Sequence, residues 1–286
     1  MVPADPLLVI VWLMCVSTAL AVTRHLWQDF GLLFASQGAV MLASGLVFVQ
    51  CVRAGMSGSW AVILGASVGA ILGAVHAPVA FRLGPELVVV VSAVSHFVLV
   101  DLWLAAPSLT GGSGGLLIPR ATGLDVSLPL GGIALGYATL VLGRRRRATK
   151  VAFSLVRNYG PNAGSYGVPG KRIIVEACIV YGTVLGILAC MSSGAVGYVE
   201  IGSFTIGFAL SCVMLAVAAS QSAPFSTLIL VIIYVLGTTV ARQLAPVGVV
   251  ISELFELAFP AAVYILLLAK SDVKTGIRSQ NRRSLV

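Results

Sequence analysis

The chain has 286 residues, of which 58% are hydrophobic and only 10% are charged, and its formal net charge is +8 at pH 7. Soluble domains carry roughly a quarter charged residues, so this composition, with a mean hydropathy of +1.03, excludes a sizeable soluble domain and indicates a membrane protein. The positive charges lie between and after apolar runs, as orientation signals do, which argues against a nucleic-acid partner.

Nine apolar runs are candidate membrane spans, each of which needs about 20 mostly apolar residues. We therefore expect an all-α, polytopic membrane helix bundle of about nine spans, with eight to ten as the range. One transmembrane domain is expected over 1–269, and a basic tail over 270–286. The nine runs are 6–23, 30–51, 58–79, 84–106, 128–143, 172–193, 200–219, 224–240 and 248–269.

Segment 144–172 is the longest polar stretch between apolar runs, and it carries eight of the 18 Lys and Arg residues and no acidic residue. Lys and Arg near span ends are retained in the cytoplasm, which predicts a cytoplasmic loop here. With five runs before the loop and four after it, the N-terminus is expected outside and the C-terminus in the cytoplasm.

Ser36, Gln37 and Gly38 interrupt the second run with two polar side chains and a flexible residue. One interpretation is a helix broken at a binding site, as in transporters with discontinuous helices. A plain hydrogen bond to a neighbouring helix explains the same residues equally well.

Small residues recur every fourth position in three of the runs, a spacing that lets helix backbones approach closely in lipid. Loose packing in a glycine-rich membrane protein is the alternative. The three sets are Gly65, Gly69 and Gly73; Gly132 and Gly136; and Gly182 and Gly186.

The fourth run carries the densest set of polar residues. Ser92, Ser95 and His96 share one helical face, while Glu86 and Asp101 lie near opposite ends. Polar groups in the hydrocarbon region usually face a partner or a water-filled cavity. The shared face is therefore predicted either to line a solute path or to bond to neighbouring helices. Elsewhere, His76 is interpreted as a core or interface residue, and Glu176 as a partner of Lys171 and Arg172.

Three stretches carry a family resemblance in matching order and spacing. They are Arg-Leu-Gly-Pro-Glu-Leu at 82–87, Leu-Thr-Gly-Gly-Ser-Gly-Gly-Leu-Leu-Ile-Pro at 109–119, and 144–168, where a basic run precedes Arg157-Asn158-Tyr159, Ala163 and Gly167-Val168. With them the chain resembles the membrane permease subunits of ABC importers for branched-chain amino acids and related amides.

The resemblance implies a permease without catalytic residues, metal or cofactor, located in the cell (inner) membrane. Its implied partners are cytoplasmic ATPase subunits, a second permease subunit of a different chain, an external solute-binding protein and the lipid bilayer. The implied solute path is lined by Ser36, Gln37, Gly38, Ser92, Ser95 and His96; the external loop includes Thr110, Gly111 and Gly112; and ATPase coupling uses Arg157, Asn158, Ala163 and Gly167.

The coupling segment departs from the family pattern, which is a good helix with acidic residues. Here Asn158 and Tyr159 stand where the acids are expected. Glycine costs a helix about 1 kcal/mol and interior proline about 3 kcal/mol relative to alanine, so the following residues predict a short or irregular coupling element. Those residues are Gly160, Pro161, Gly164 and Gly167.

The alternative functions are an ion-coupled secondary transporter and a membrane-embedded lipid enzyme. An ion-coupled secondary transporter needs a buried ionisable group that binds and releases a cation, and Asp101 or Glu86 are the candidates, both near span ends. A membrane-embedded lipid enzyme needs paired carboxylates, a histidine cluster or an activated nucleophile at one interface. The sequence has no such constellation, and it has no phosphate-binding GxxxxGK[ST] loop and no HExxH or GxSxG motif.

Overall fold

The computed structural model of this protein describes residues 6–83, 85–118, 147–200 and 204–220, with short helical pieces between 232 and 265. This part of the chain is mostly helical. Its helices are α1 (Pro6–Phe30), α2 (Gln37–Arg53), α3 (Gly58–Arg82), α4 (Pro85–Ala105), α5 (Pro107–Thr110), α6 (Arg147–Tyr159), α7 (Gly170–Val196) and α8 (Ile206–Ser220). Two 3-10 turns cover Gly112–Gly114 and Gly160–Tyr166, and β1 (Leu116–Leu117) pairs antiparallel with β2 (Tyr198–Val199).

Three helices in the described ranges are long and apolar enough to cross a membrane: α3, the Leu87–Ala105 part of α4, and α7. The apolar helices α2 and α8 are shorter. Together with α1, which covers run 6–23, these helices overlap six of the predicted runs. The runs 128–143, 224–240 and 248–269 lie outside the continuously described residues, as do Gly132 and Gly136, the basic residues at 144–146 and the tail at 270–286.

The second predicted run, 30–51, is wrong at its start, because α2 begins only at Gln37. Helix α1 continues to Phe30 and ends at Gly31, whose φ is 67°. Glycine adopts this left-handed backbone without the steric cost that a side chain adds. Residues 31–36 are not helical, and all of them except Gly31 are buried. Ser36, Gln37 and Gly38 therefore lie at the start of a helix that begins inside the protein.

Helices α3 and α7 form the central pair, and glycines let their backbones touch. A Cβ atom on Gly69 would overlap the carbonyl oxygen of Gly182, and a Cβ atom on Gly182 would overlap that of Gly69. One turn along, a Cβ atom on Gly73 would overlap the carbonyl oxygen of Cys178. Close approach through small residues is thus confirmed for two of the three predicted glycine sets. We call this contact the glycine seam.

Apolar side chains on α3 and α4 point away from the protein. In lipid such a face needs no cover, because hydrocarbon chains are as apolar as the side chains themselves. Helix α2 packs against the seam, and α1 packs against α7 and α8. The exposed side chains are Trp60, Ile63, Ile71 and Val75 on α3 and Leu87, Val90, Val94, Phe97 and Leu102 on α4.

Different elements pack against the two ends of the helices. Helix α6 is amphipathic and lies against the last turns of α1, with the Phe30 and Phe153 rings 4.7 Å apart. We call this the α6 end. At the other end, which we call the loop end, α5, the turn at 112–114 and the β1–β2 pair form a small cap. The side chain of Gln50 in α2 donates a hydrogen bond to the Leu109 carbonyl in this cap.

Replacing Gly69 by alanine should lower the free energy of unfolding by about 1–3 kcal/mol, because the added methyl group pushes α3 and α7 apart. The measurement is the midpoint of thermal unfolding of the detergent-purified protein. Gly164→Ala is the control, since a Cβ atom at Gly164 meets no atom within 4 Å. Equal midpoints for the two variants would contradict the glycine seam.

Candidate functional site

The non-helical segment 31–36 carries the chain back along α1 into the protein. The amide nitrogen Nε2 of Gln37 donates to Oγ1 of Thr23 at 3.2 Å, and Thr23 lies seven residues before Phe30, the last residue of α1. At a rise of 1.5 Å per residue, α2 therefore starts about 10 Å inside the protein from the α6 end. Non-helical backbone at membrane depth is tolerated only where it is buried in protein or lines a cavity.

Helix α4 satisfies the backbone of this segment. The N–H of Ala35 donates to Oγ of Ser92 at 2.8 Å, and Oγ of Ser92 donates in turn to the Val89 carbonyl at 2.9 Å. A buried N–H outside regular secondary structure costs free energy unless it finds an acceptor. Ser92 supplies that acceptor, and its side chain is completely buried.

The first turn of α2 also touches α4 directly. A Cβ atom on Gly38 would lie 2.9 Å from the His96 ring on α4 and 2.8 Å from the carbonyl oxygen of Phe204, just before α8. Only glycine fits between these two groups without moving one of them. Gly38 therefore sets how closely α2 begins beside α4.

Helix α3 contacts α4 in this region through His76. Its Nδ1 lies 2.6 Å from the Leu72 carbonyl, which can only accept, so Nδ1 carries a proton. Its Nε2 lies 3.3 Å from Oγ of Ser95, and that hydroxyl donates to the Ser92 carbonyl at 2.6 Å. The interpretation of His76 as a core residue is confirmed, and its neighbours in the core include the polar side chain of Ser95.

Helix α7 completes the set through Tyr181, whose buried hydroxyl lies beside Ser36. The ring of Phe34 contacts both this tyrosine and His76, with its centroid 5.6 Å from each ring. Side chains from α1, the start of α2, α3, α4 and α7 thus meet around one point. We call them the polar cluster: Thr23, Ser36, Gln37, His76, Ser92, Ser95, His96 and Tyr181.

Four polar atoms of the polar cluster have no hydrogen-bond partner among the described residues. They are Oγ of Ser36, Oε1 of Gln37, Nδ1 of His96 and the hydroxyl of Tyr181, and each of these residues is at most 3% exposed. Buried polar atoms are normally paired. The start of α2 adds hydrogen-bond donors at this place, because the first N–H groups of a helix have no intrahelical acceptors and carry a partial positive charge. The arrangement can hold a small polar solute by hydrogen bonds.

The six residues predicted to line a solute path therefore lie together. Both interpretations of these residues find support in the geometry, because Ser92 bonds to a neighbouring segment while Gln37 and His96 each keep an unpaired polar atom. Sequence reasoning missed two members, Thr23 and Tyr181, and the contact between His76 and Ser95. A polar side chain within an apolar run was a usable signal for Tyr181, and Thr23, the last residue of run 6–23, carried only a weak form of it.

The predicted external loop has Thr110 at its centre. Oγ1 of Thr110, which is 3% exposed, donates to the Trp103 carbonyl at 2.7 Å and accepts from the Gly112 N–H at 3.2 Å. Gly111 and Gly112 have φ values of 75° and 62°, which suit glycine. These residues therefore shape the cap at the loop end.

The predicted coupling residues divide into two pairs. Arg157 donates from Nη1 to the Gln28 carbonyl at 2.8 Å, and Ala163 is fully buried against the start of α7. Asn158 and Gly167 are exposed. The expectation of a short, irregular element is confirmed, since α6 ends at Tyr159 and a 3-10 turn follows.

The remaining charged residues lie towards the helix ends. Arg172 and Glu176 form the predicted pair, with Nε and Oε1 2.7 Å apart. The side chain of Asp101 is exposed, and that of Glu86 lies outside the described residues. Within the described ranges, no group of three or more His, Cys, Asp or Glu side chains is arranged to hold a metal ion.

Comparison of the chain with protein-family models, with curated proteins and with solved structures found no match. The resemblance to ABC importer permeases therefore stays a prediction that depends on the three stretches quoted above.

Replacing Ser92 by alanine should lower the free energy of unfolding by about 1–3 kcal/mol, because it leaves the buried Ala35 N–H without an acceptor. The fall in the unfolding midpoint in detergent measures this loss. Ser67→Ala is the matched control: its hydroxyl bonds only to its own helix, at the Ile63 carbonyl, and is exposed. A Ser92→Ala midpoint no lower than that of Ser67→Ala would contradict the proposed anchoring of segment 31–36.

Proposed function

We propose that this chain is a transmembrane permease subunit of an ATP-binding-cassette importer. It forms the pathway for branched-chain amino acids or related small polar solutes, and separate ATPase subunits supply the energy. The observation that carries this proposal is the polar cluster at the buried start of α2. The family resemblance supports it independently of that geometry.

The polar cluster suits a solute that must bind and leave. The unpaired Oε1 of Gln37 accepts a hydrogen bond, and the unpaired Nδ1 of His96 donates or accepts according to the ring tautomer. With the donors at the α2 N-terminus, these groups complement a molecule with both N–H and C=O or carboxylate groups. No Asp, Glu, Lys or Arg is among its members, so the contacts are hydrogen bonds and a helix dipole. Non-helical backbone at depth is the feature that transporters with broken helices use for such sites.

Helix α6 is connected to this site by a short route. Arg157 holds α6 to the last turn of α1 through the Gln28 carbonyl, and its Cγ would lie 3.8 Å from a Cβ atom on Gly31. Gly31 opens segment 31–36, which ends at the polar cluster. A partner that displaces α6 therefore moves the segment that positions Ser36 and Gln37. In the proposed importer, that partner is the ATPase.

The proposed topology has about nine spans, an external N-terminus and a cytoplasmic C-terminus in the cell (inner) membrane. In that orientation the α6 end is cytoplasmic and the polar cluster lies in the inner half of the bilayer. The cap around Thr110 faces outward, where a solute-binding protein docks. A second permease subunit of a different chain completes the pathway across the exposed faces of the bundle.

The coupling proposal is tested by affinity purification of the tagged protein from mild detergent, with the co-purifying chains identified by mass. We expect an ATPase subunit and a second permease. Asn158→Arg should reduce ATPase recovery at least about tenfold, because the exposed side chain adds bulk and charge at the docking surface.

Ser108→Arg is the matched control, since Ser108 is also exposed but belongs to the cap at the loop end. Its ATPase recovery should equal that of the unmodified protein. Recovery of a monodisperse chain without any ATPase would overturn the importer proposal, and ion-driven transport would then be tested through Glu86 and Asp101.

The solute path is tested by uptake of radiolabelled leucine and acetamide into cells that express the whole importer. Gln37→Met removes the unpaired Oε1 together with the hydrogen bond to Thr23, and His96→Phe removes the unpaired Nδ1, while each keeps the side-chain size similar. We expect each to reduce uptake at least about tenfold, because a buried polar group of the solute is left unpaired. Thr183→Val is the control, since that hydroxyl bonds only within α7. Unchanged uptake and selectivity in both the Gln37 and the His96 variant would exclude this path.

A further inference from the structure

A cleft of about 520 Å³ opens at the α6 end, apart from the polar cluster. It is lined by Pro78, Phe81, Arg82, Asn162 and Lys171. These residues come from the last turns of α3, from the 3-10 turn at 160–166 and from the first turn of α7. None of them belongs to the predicted solute path. Asn162 and Lys171 lie within the predicted coupling loop 144–172, but neither is one of the four residues predicted to contact the ATPase.

The fold places two cations in one cleft. The glycine seam holds the end of α3 beside the start of α7, which brings Arg82 near Lys171. The 3-10 turn then packs on the start of α7, where a Cβ atom on Gly170 would lie 2.6 Å from the Gly160 carbonyl oxygen. This contact positions Asn162 so that its side chain lines the same cleft.

The positive charge of the cleft is not neutralised by the described part of the protein. Arg82 and Lys171 are exposed, and neither forms an ion pair with a described side chain. Glu176, the acidic residue nearest to Lys171 in the sequence, is already paired with Arg172. Two neighbouring cations repel each other, so an anion bound between them is stabilised. The N-terminus of α7 adds a partial positive charge.

The walls of the cleft define the kind of anion. Arg82, Lys171 and the amide of Asn162 are hydrogen-bond donors of the type that binds phosphate oxygens. Pro78 and Phe81 supply an apolar wall on the α3 side. A phosphate group that is attached to an apolar stem matches both parts. Basic pockets between transmembrane helices bind the head groups of anionic lipids in this way.

We propose that this cleft binds a phosphate group, with an anionic phospholipid of the leaflet at the α6 end as its source. Free phosphate offers the same oxygen acceptors without the apolar stem. The cleft is formed by α3, α7 and the 3-10 turn that follows α6. A ligand bound there therefore connects the two helices of the glycine seam with the turn after α6, the helix that contacts Gly31 through Arg157. The site stands whether or not the chain transports a solute.

The test is a titration of the full-length, delipidated protein in non-ionic detergent, followed by native mass spectrometry. The probes are short-chain phosphatidylglycerol, short-chain phosphatidylcholine and inorganic phosphate. We expect phosphatidylglycerol to bind more tightly than phosphatidylcholine. Arg82→Gln and Lys171→Gln should each weaken phosphatidylglycerol binding at least about tenfold, as expected for the loss of one charge-assisted hydrogen bond.

Arg53→Gln is the control, because it removes one exposed cation from the opposite end of the helices, at the last residue of α2. Its affinity should match that of the unmodified protein, and Arg82→Lys should retain most of the binding. Inorganic phosphate binding with the same dependence on Arg82 and Lys171 would support the site with free phosphate as its source. Equal phosphatidylglycerol affinities in all variants, or no binding of either anionic probe, would overturn the proposal.

Discussion

The contact between α3 and α7 is the interaction on which the rest of the described structure depends. In lipid there is no hydrophobic force between helices, so close packing has to hold them together. The mutual fit of Gly69 and Gly182 provides that packing. One consequence lies inside the protein, where His76 on α3 and Tyr181 on α7 both contact the Phe34 ring. The other lies at the α6 end, where Arg82 and Lys171 line one cleft.

A second constraint is the need to satisfy backbone groups away from water. Segment 31–36 leaves the helical hydrogen-bond pattern, and Ser92 on α4 accepts the N–H of Ala35. This hydrogen bond holds α4 against the start of α2 and places Ser95 and His96 beside the first turn of α2. The same segment begins at Gly31, next to Arg157 of α6. A structural requirement of the backbone therefore also creates a mechanical link between a surface helix and an interior site.

The two proposed binding sites differ as their surroundings require. Deep in the protein, burial of a full charge is costly, and the polar cluster uses hydroxyl, amide and imidazole groups with a helix N-terminus. At the surface, charged side chains remain hydrated, and the cleft carries Arg82 and Lys171. Neutral donors and acceptors suit a solute that must leave quickly, whereas paired cations suit a phosphate group that stays bound.

The sequence by itself determined the apolar helices, the spacing of the seam glycines and the irregular element after α6. Each of these depends on local composition, periodicity or backbone propensity, which act within one stretch of chain. It also singled out 36–38 and the 92–96 face, because polar residues in an apolar run stand out. The tertiary structure alone decided that these two stretches meet and that Thr23, His76 and Tyr181 join them. It also decided that α2 starts at Gln37 and that Arg82 lies near Lys171. Such contacts depend on how closely helices approach and on which buried N–H needs an acceptor, and neither is encoded in the pattern of a single segment.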